Sequence, residues 1–493
     1  MQADRLRLTE GSQIASATFG PGDGGTLRVE ARDIFMSTSA LGAVSVGTEP
    51  GSGNAGDITM VADRLRLTEG SQIASATFGP GDGGTLRVEA RDILLTGESE
   101  AGFRPGIVAL TSGSGQAGDI VVNSQDIELR EGGSFIASSQ GTGIGDAGDI
   151  TVKTDRLRLI AGGDISSVTN GSGQGGNLRV EAQDILLTGQ NEAGLLSAIL
   201  ASSQGFVADS GDGGNITVVA DRLRLSEGAQ IASATFGPGD GGTLRIEARD
   251  ILLTGDFEAG FFSGFRASSE GTEPDSGDAG DITVVADRLQ LSGDDGARIS
   301  VETEVSDAGD INLNVGTLLH LRDNSAITTS VAGGQGDGGN ITIDPTFVVL
   351  DDSRIVANAV RGRGGNVSIT ADHLFRTPDS LIQASSELGI QGTVDIKAPD
   401  RDVSAGLLAL PAHFVDAAAV LTRPCAERHA ADAIRLIVRK YEVLPDSPYA
   451  LRVYLPSAGS DPNGLSDARQ SSAIPDLYAA WDPRTHTCAF DLE

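Results

Sequence analysis

Residues 3–34, ADRLRLTEGSQIASATFGPGDGGTLRVEARDI, recur letter for letter at 62–93. They recur again at 220–251 with three changes, Ser226, Ala229 and Ile246 standing where 62–93 has Thr68, Ser71 and Val88. A chain this self-similar buries the apolar face of each unit against the next copy, so the repeat constrains the fold before any other feature. A finer period runs beneath the near-copies. A small pair (Gly-Gly, Ala-Gly or Gln-Gly) precedes a short polar residue and an aliphatic run. Its second glycine falls at 25, 56, 84, 118, 148, 176, 214, 242, 280, 309, 339, 365 and 392. Thirteen anchors thus succeed one another at about 30 residues each, the range expected of solenoid repeats.

Each interval holds three short apolar alternations. After Gly84 the first is TLRVEA, with Leu86, Val88 and Ala90 on one face and Arg87 and Glu89 on the other; the second is DILLT at 92–96. The third is clearest as SQIASAT at 71–77. Period-two runs of four to six residues bounded by Gly, Asp and Asn predict half-buried strands. No stretch of 1–399 keeps a 3.6-residue stripe for three turns without a glycine interrupting it. Three strands and three bends per repeat describe one coil of a parallel β-helix, right-handed by the usual rule for parallel crossovers. Leu27 is then expected to stack on Ile58, Leu86 and Ile120, and 13 coils at about 4.8 Å span roughly 60 Å. Glycine at the bends supplies tight turns and positive φ. The longer intervals carry their extra residues after DILLTG, as GESEAGFRPG, GQNEAGLLSA and GDFEAGFFSG. Leucine-rich repeats fit less well, since no helical return is visible. Calcium-binding nonapeptide rolls also fit less well, since GDGGTL and GDAGDI occur once per coil.

The glycine pairs stop near residue 399, and Pro445, Pro448, Pro456, Pro462, Pro475 and Pro483 punctuate the remainder of the chain. The expected organisation is therefore an all-β solenoid over 1–399 and a small C-terminal cap over 400–493, where AIRLIVRKYEVL at 433–444 is compatible with a strand or a short helix. With 36 Lys+Arg against 68 Asp+Glu, the net charge is −32. Such a chain repels nucleic acid and anionic membrane surfaces. No run of 18 apolar residues suggests membrane insertion, and no basic and apolar leader opens the chain.

The coil consensus GDAGDITVVADRLRL, continued by the GxGxGG corner, resembles the haemagglutinin-type large exoproteins of two-partner secretion, which are related to filamentous haemagglutinin. LPAHFVDAAAVLTRPC at 410–425 is similar to a segment of that family, matching at Leu410, Pro411, Val415, Asp416, Leu421 (one position late) and Cys425. LPDSP at 444–448 is similar to the family's LPxSP ending. Where the family carries a Gly-Arg-Gly-Gly run, this chain has Lys440, Tyr441, Glu442 and Val443. The resemblance implies an adhesin-like structural protein, exported through an outer-membrane barrel transporter and secreted or displayed on the cell surface. Its partners would be host or neighbour cell-surface proteins or glycans. The family's secretion domain is missing, and Met1 falls in the middle of a coil whose repeat is already letter-perfect from Ala3. The expectation is a C-terminal part of a longer exoprotein, or a mis-set start. In the export context Cys425 and Cys488 would join in a structural disulfide, and the loop-entropy model gives that closure roughly 4 kcal/mol; two free thiols are the alternative inside the cytosol.

Candidate chemistry is sparse. Asp57, Asp119, Asp149, Asp281 and Asp310 share one slot after the small pair, and β-helical enzymes that cleave acidic sugars use such clusters. Asn177, Asn215, Asn340, Thr26, Thr85 and Thr243 occupy the same slot, however, so the residues read as short side chains bonding their own backbone at a bend. Catalytic carboxylates need unlike environments. A stacked Asp column could bind Ca²⁺ weakly through oxygen. No other cofactor is expected. His320, His373, His413, His429 and His486 show no metal-binding spacing, and Cys425 four residues before His429 makes only one pair. Asn215-Ile-Thr, Asn340-Ile-Thr and Asn366-Val-Ser match a glycosylation acceptor but fall out of the repeat. Glycine-rich GPGDGG lacks the Lys-Ser or Lys-Thr of a phosphate loop.

Phe19, Phe78 and Phe236 precede a bend, and Phe103, Phe257, Phe261, Phe262 and Phe265 sit in the long corner insertions; they shield the corner or form a contact strip. Arg5, Arg7, Arg64, Arg66, Arg222 and Arg224 face outward and are expected to pair with acidic neighbours. The reading is a non-enzymatic adhesin, with a polysaccharide-acting β-helix lyase or hydrolase as the alternative. An enzyme would break repeat symmetry at its site, and the near-identical copies do not.

Overall fold

The computed structural model of the chain describes residues 1–398 apart from 141–143, 206–209, 256–261 and 294–295, and the backbone of the strands Asp400–Arg401, Ala479–Asp482 and Thr487–Phe490. Among these residues every helix or strand assigned is a strand. The chain divides into two compact units, Met1–Leu407 and Leu408–Glu493. In the second, the described backbone is an antiparallel pair with Ala479 opposite Phe490 and Trp481 opposite Cys488. The rest of the expected cap lies outside the described residues, and so does Cys425. The disulfide expectation falls there with it.

The first unit is a parallel β-solenoid of about 13 turns, built from a 19-stranded and a 13-stranded sheet. The interior ladder runs as expected, Leu27 pairing with Ile58, Ile58 with Leu86 and Leu86 with Ile120. It ends with Ile341 pairing with Val367 and Val367 with Val394. The expected three strands per coil take a different form. In coils such as Leu86–Thr96 the first two alternations fuse into one 11-residue strand. Leu86, Val88 and Ala90 are buried, Arg91 and Asp92 both face out, and Ile93 and Leu95 are buried again. Two successive outward residues reverse the phase of a period-two pattern, so the strand bends while its ladder continues. Where polar residues such as Ser124 and Gln125 hold the bend, the strand divides into Ile120–Asn123 and Asp126–Arg130. The third alternation forms the six-residue strands of the other sheet, such as Gln72–Thr77.

The core is a set of aliphatic columns, with Phe135 and Phe265 the largest fully buried side chains. Phe265 was expected at a corner; it instead takes the interior position that Ile231 and Ile299 fill in adjacent coils.

The anchor glycines are required by contact rather than by backbone angle. A Cβ on Gly84 would lie 2.3 Å from the carbonyl oxygen of Gly56; on Gly214 it would lie 2.0 Å from that of Gly176, and on Gly339 1.9 Å from that of Gly309. None of these three has a positive φ. Left-handed backbone occurs at the opposite corner instead, at Glu69 and Gly70 and again at Glu227 and Gly228. The Ser-rich short strands serve the same column. Ser75 Oγ donates to Gly56 O (3.1 Å) and accepts from Gly84 N–H (2.9 Å), tying two coils together. Ser167 and Ser233 do the same between Gly148 and Gly176 and between Gly214 and Gly242.

The extra residues of long coils fall at two corners, which corrects the single corner expected. One insertion separates Thr96 from Gly106, as anticipated. The other lies after the short strand, where Ser203 to Gly214 spans four residues more than Thr77 to Gly84. Both corners lie outside the ladders, so neither insertion disturbs the stack.

Gly214→Ala is expected to lower stability by about 3 kcal/mol, because backbone on the neighbouring coil cannot yield. Gly20→Ala, with nothing within 4 Å of its added Cβ, is expected to change it by less than about 0.5 kcal/mol. Urea unfolding tracked by circular dichroism checks the contrast.

Candidate functional site

The short polar slot after the anchor glycine is a ladder between coils. Asp57 Oδ1 accepts from Thr85 N–H (2.8 Å), Asp119 Oδ1 from Asp149 N–H (2.9 Å), and Asp281 Oδ1 from Asp310 N–H (2.7 Å). Asp310, Asn340 and Asn366 continue it to Thr393. The carboxylates therefore bond the next coil's backbone and not their own, which corrects the expected bend motif while keeping its structural role. Asn215, Asn340 and Asn366 are members of this column, so their acceptor-like triplets arise from the ladder.

A second column lies three residues earlier, and sequence reasoning missed it. Asp212 Oδ1 accepts from Asp240 N–H (2.9 Å), Asp240 from Asp278 (2.9 Å), Asp278 from Asp307 (2.9 Å), and Asp307 from Asp337 (2.7 Å). Its signal was the recurrent acidic or amide residue directly after a corner glycine, as in GDGG, GNAG and GQAG. Burial, together with the charges of Asp307 and Asp240, raises the Asp278 carboxyl above its ordinary value, against the hydrogen bond it accepts from Asp307. Among the described residues no three His, Cys, Asp or Glu side chains are placed to hold one metal ion.

The second half of the long strand presents two outward charge columns. In the first, Arg64 Nε sits 2.6 Å from Asp33, while Arg222 sits 2.5 Å from Asp184 and Arg288 2.5 Å from Asp250. Arg5 joins Asp33 at 3.4 Å, and Arg156 bonds Asp126. These guanidiniums hold Asp33, Asp126 and Asp250 below the usual carboxylate range. The second column departs from the expected pairing. Arg66 lies between Phe35 and Leu94, and Arg224 lies between Leu186 and Leu252. Neither makes an ion pair or hydrogen bond with any described residue. Arg7 instead lies over the Phe35 ring, 5.1 Å from its centroid.

Toward the last coils this face turns aromatic. His373 stacks on Phe347 at 5.1 Å and lies 6.3 Å from Phe375. Burial, then the Arg322 charge, lowers the His320 imidazole. His413, His429 and His486 lie outside the described residues, as do Phe257 and Phe261. Phe19 and Phe103 are 77% and 64% exposed, whereas Phe236 is half-buried and Phe262 carries Arg298 over its ring.

The strand bend forms a shallow groove of about 640 Å³ across five coils, lined by Glu247, Arg249, Asp287, Asn314 and Asp344 among small aliphatics, with no aromatic ring. Among the described residues one carboxylate is buried. Asp164 accepts from Ser166 Oγ (3.0 Å) and lies 3.6 Å from Arg104 of the 97–105 insertion, while its Oδ1 has no partner. Burial outweighs Arg104 and raises its carboxyl above the ordinary value.

Compared with known proteins, the chain matches no family model, no curated protein and no solved structure.

The carboxyl shifts predict a domed pH profile. Asp164 and Asp278 bind a proton more readily folded than unfolded, so stability rises as pH falls toward about 4, where the unfolded carboxyls titrate. Below that, protonation of Asp33, Asp126 and Asp250 removes their ion pairs and stability falls. Asp164→Asn is expected to reduce the rise above about pH 4, leaving the part due to Asp278, and to keep the acid limb in place, read as thermal midpoints across the range.

Proposed function

We propose that this protein is an adhesin-like structural exoprotein of the haemagglutinin type, exported through an outer-membrane barrel and presented outside the cell. Its solenoid then holds a repeated binding face toward surface glycans or proteins of a host or neighbouring cell. The observation that carries the reading is Arg66 and Arg224: equivalent residues of near-identical repeats, exposed, unpaired among the described residues and flanked by apolar rungs. A guanidinium without an internal partner is free to fork onto a carboxylate or sulfate. Two or more such sites on one stack turn weak single contacts into avidity. The surrounding acidic columns oppose long anionic polymers such as nucleic acid, and salt limits that repulsion to about 8 Å.

The polysaccharide-cleaving alternative gains no specific support. The bend groove carries its carboxylates on separate rungs and offers no ring for a sugar to stack on.

Arg66→Glu combined with Arg224→Glu is expected to weaken binding of the purified chain to immobilised anionic glycans or intact cells at least tenfold, with unchanged circular dichroism. Undiminished binding would defeat this reading. Release of new reducing ends from the bound glycan would favour the enzyme.

A further inference from the structure

Among the described residues, the outward face of the six-residue strands is the one broad surface that carries almost no charge. From Gln13–Thr18 to Gln230–Thr235 eight such strands pair in register. Across all eight, the only charged outward side chain is Asp164, itself 9% exposed. The next strands end the neutral surface: Arg266 pairs with Glu270 and Glu302. Eight strands at about 4.8 Å, each six residues long at about 3.3 Å, make a face of about 700 Å². That is close to the roughly 800 Å² each partner buries in a stable complex.

The middle of this face has a relief that is partly complementary to itself. Its midpoint lies between the strands Gly106–Thr111 and Ser134–Ser139. A two-fold axis there, lying in the interface along the strand direction, sets each rung against its mirror rung. Leu200 then meets Gly42, and Val44 meets Ser202. Val168 meets Ala76, and Leu110 meets Ser138, with Val108 against Ile136 at the centre. Large opposes small at the four pairs of Leu200 with Gly42, Val44 with Ser202, Val168 with Ala76 and Leu110 with Ser138, as interdigitating sheets about 10 Å apart require, while outer pairs such as Ala15 with Ala232 and Ala17 with Ala234 are small on both sides. An isologous contact needs this self-complementarity, and it closes as a dimer rather than a fibre.

We infer that this neutral sheet face is a homotypic interface, on which two copies of the chain pack face to face with their stacks antiparallel. The occupant is a second copy for two reasons. A chain of net charge −32 repels its like everywhere that charge is displayed, so self-association is confined to the face without it. An unrelated apolar partner would have no reason to match the large-against-small pattern about the midpoint. The inference does not depend on the adhesion reading.

Sedimentation equilibrium of the full chain tests it. A dimer is expected below about 100 µM, the range of specific association. Ala76→Arg or Val168→Glu alone is expected to raise the dissociation constant at least 100-fold. The two together place opposite charges across the interface, and are expected to recover at least tenfold of that loss. Leu200→Glu, on a different rung, provides a second disruption should either variant misfold by circular dichroism. A wild-type monomer at about 100 µM, or a dimer indifferent to these changes, would overturn the proposal. Absence of recovery in the paired variant would overturn the register assigned.

Discussion

Glycine carbonyls stacked against glycine α-carbons set the geometry on which the rest of this protein depends. At the anchor corner the chain of one coil lies so near the next that Gly214, given a Cβ, would place it 2.0 Å from Gly176 O. That approach holds successive coils at strand spacing through the corner as well as along the sheets. The buried hydroxyls of Ser75, Ser167 and Ser233 then satisfy glycine N–H and C=O groups that such a tight corner would otherwise leave unpaired. Two columns of Asp and Asn side chains complete the corner from outside, each bonding the N–H one coil further on. With the corner fixed, side chains one coil apart fall into columns, and every surface property becomes a property of a column.

Much of this was legible in the chain, because a solenoid writes its period into the spacing of its glycines. The ladder from Leu27 to Ile120 could be named from alternation alone. The features that escaped notice depended on distances between coils. Positive φ and close approach both call for glycine, and only the geometry separates Gly11, which needs the first, from Gly84, which needs the second. Asp57 and its kin were recognised as structural, but a side chain bonding the next coil looks in sequence like one bonding its own bend. Phe265 was misplaced because Gly264 begins a strand directly after an insertion, so the ring looked like part of the corner. The pairing of Arg5, Arg64 and Arg222 was anticipated; the isolation of Arg66 and Arg224 was not, because it depends on which residue the coils above and below place beside them.

The proposed adhesion rests on the same column logic. The paired arginine and aspartate column neutralises itself. The neighbouring column leaves Arg66 and Arg224 available at equivalent places, the arrangement suited to many weak contacts with an extended surface. The short-strand sheet, stripped of charge over eight coils, faces a different direction of the fold and fits a different task. The proposed recognition and self-association thus fall on separate faces of one stack.

The central claim is that residues far apart in sequence stand at fixed multiples of the coil rise. Arg87 and Arg245 are linked through five successive register steps, by way of Val121, Thr151, Arg179 and Thr217. Spin labels at these two positions, in a variant whose native cysteines are replaced, measure that rise by pulsed electron resonance. The account predicts a narrow distribution centred near 24 Å, five steps of about 4.8 Å. A broad distribution, or one centred beyond about 40 Å, would contradict the stacked solenoid.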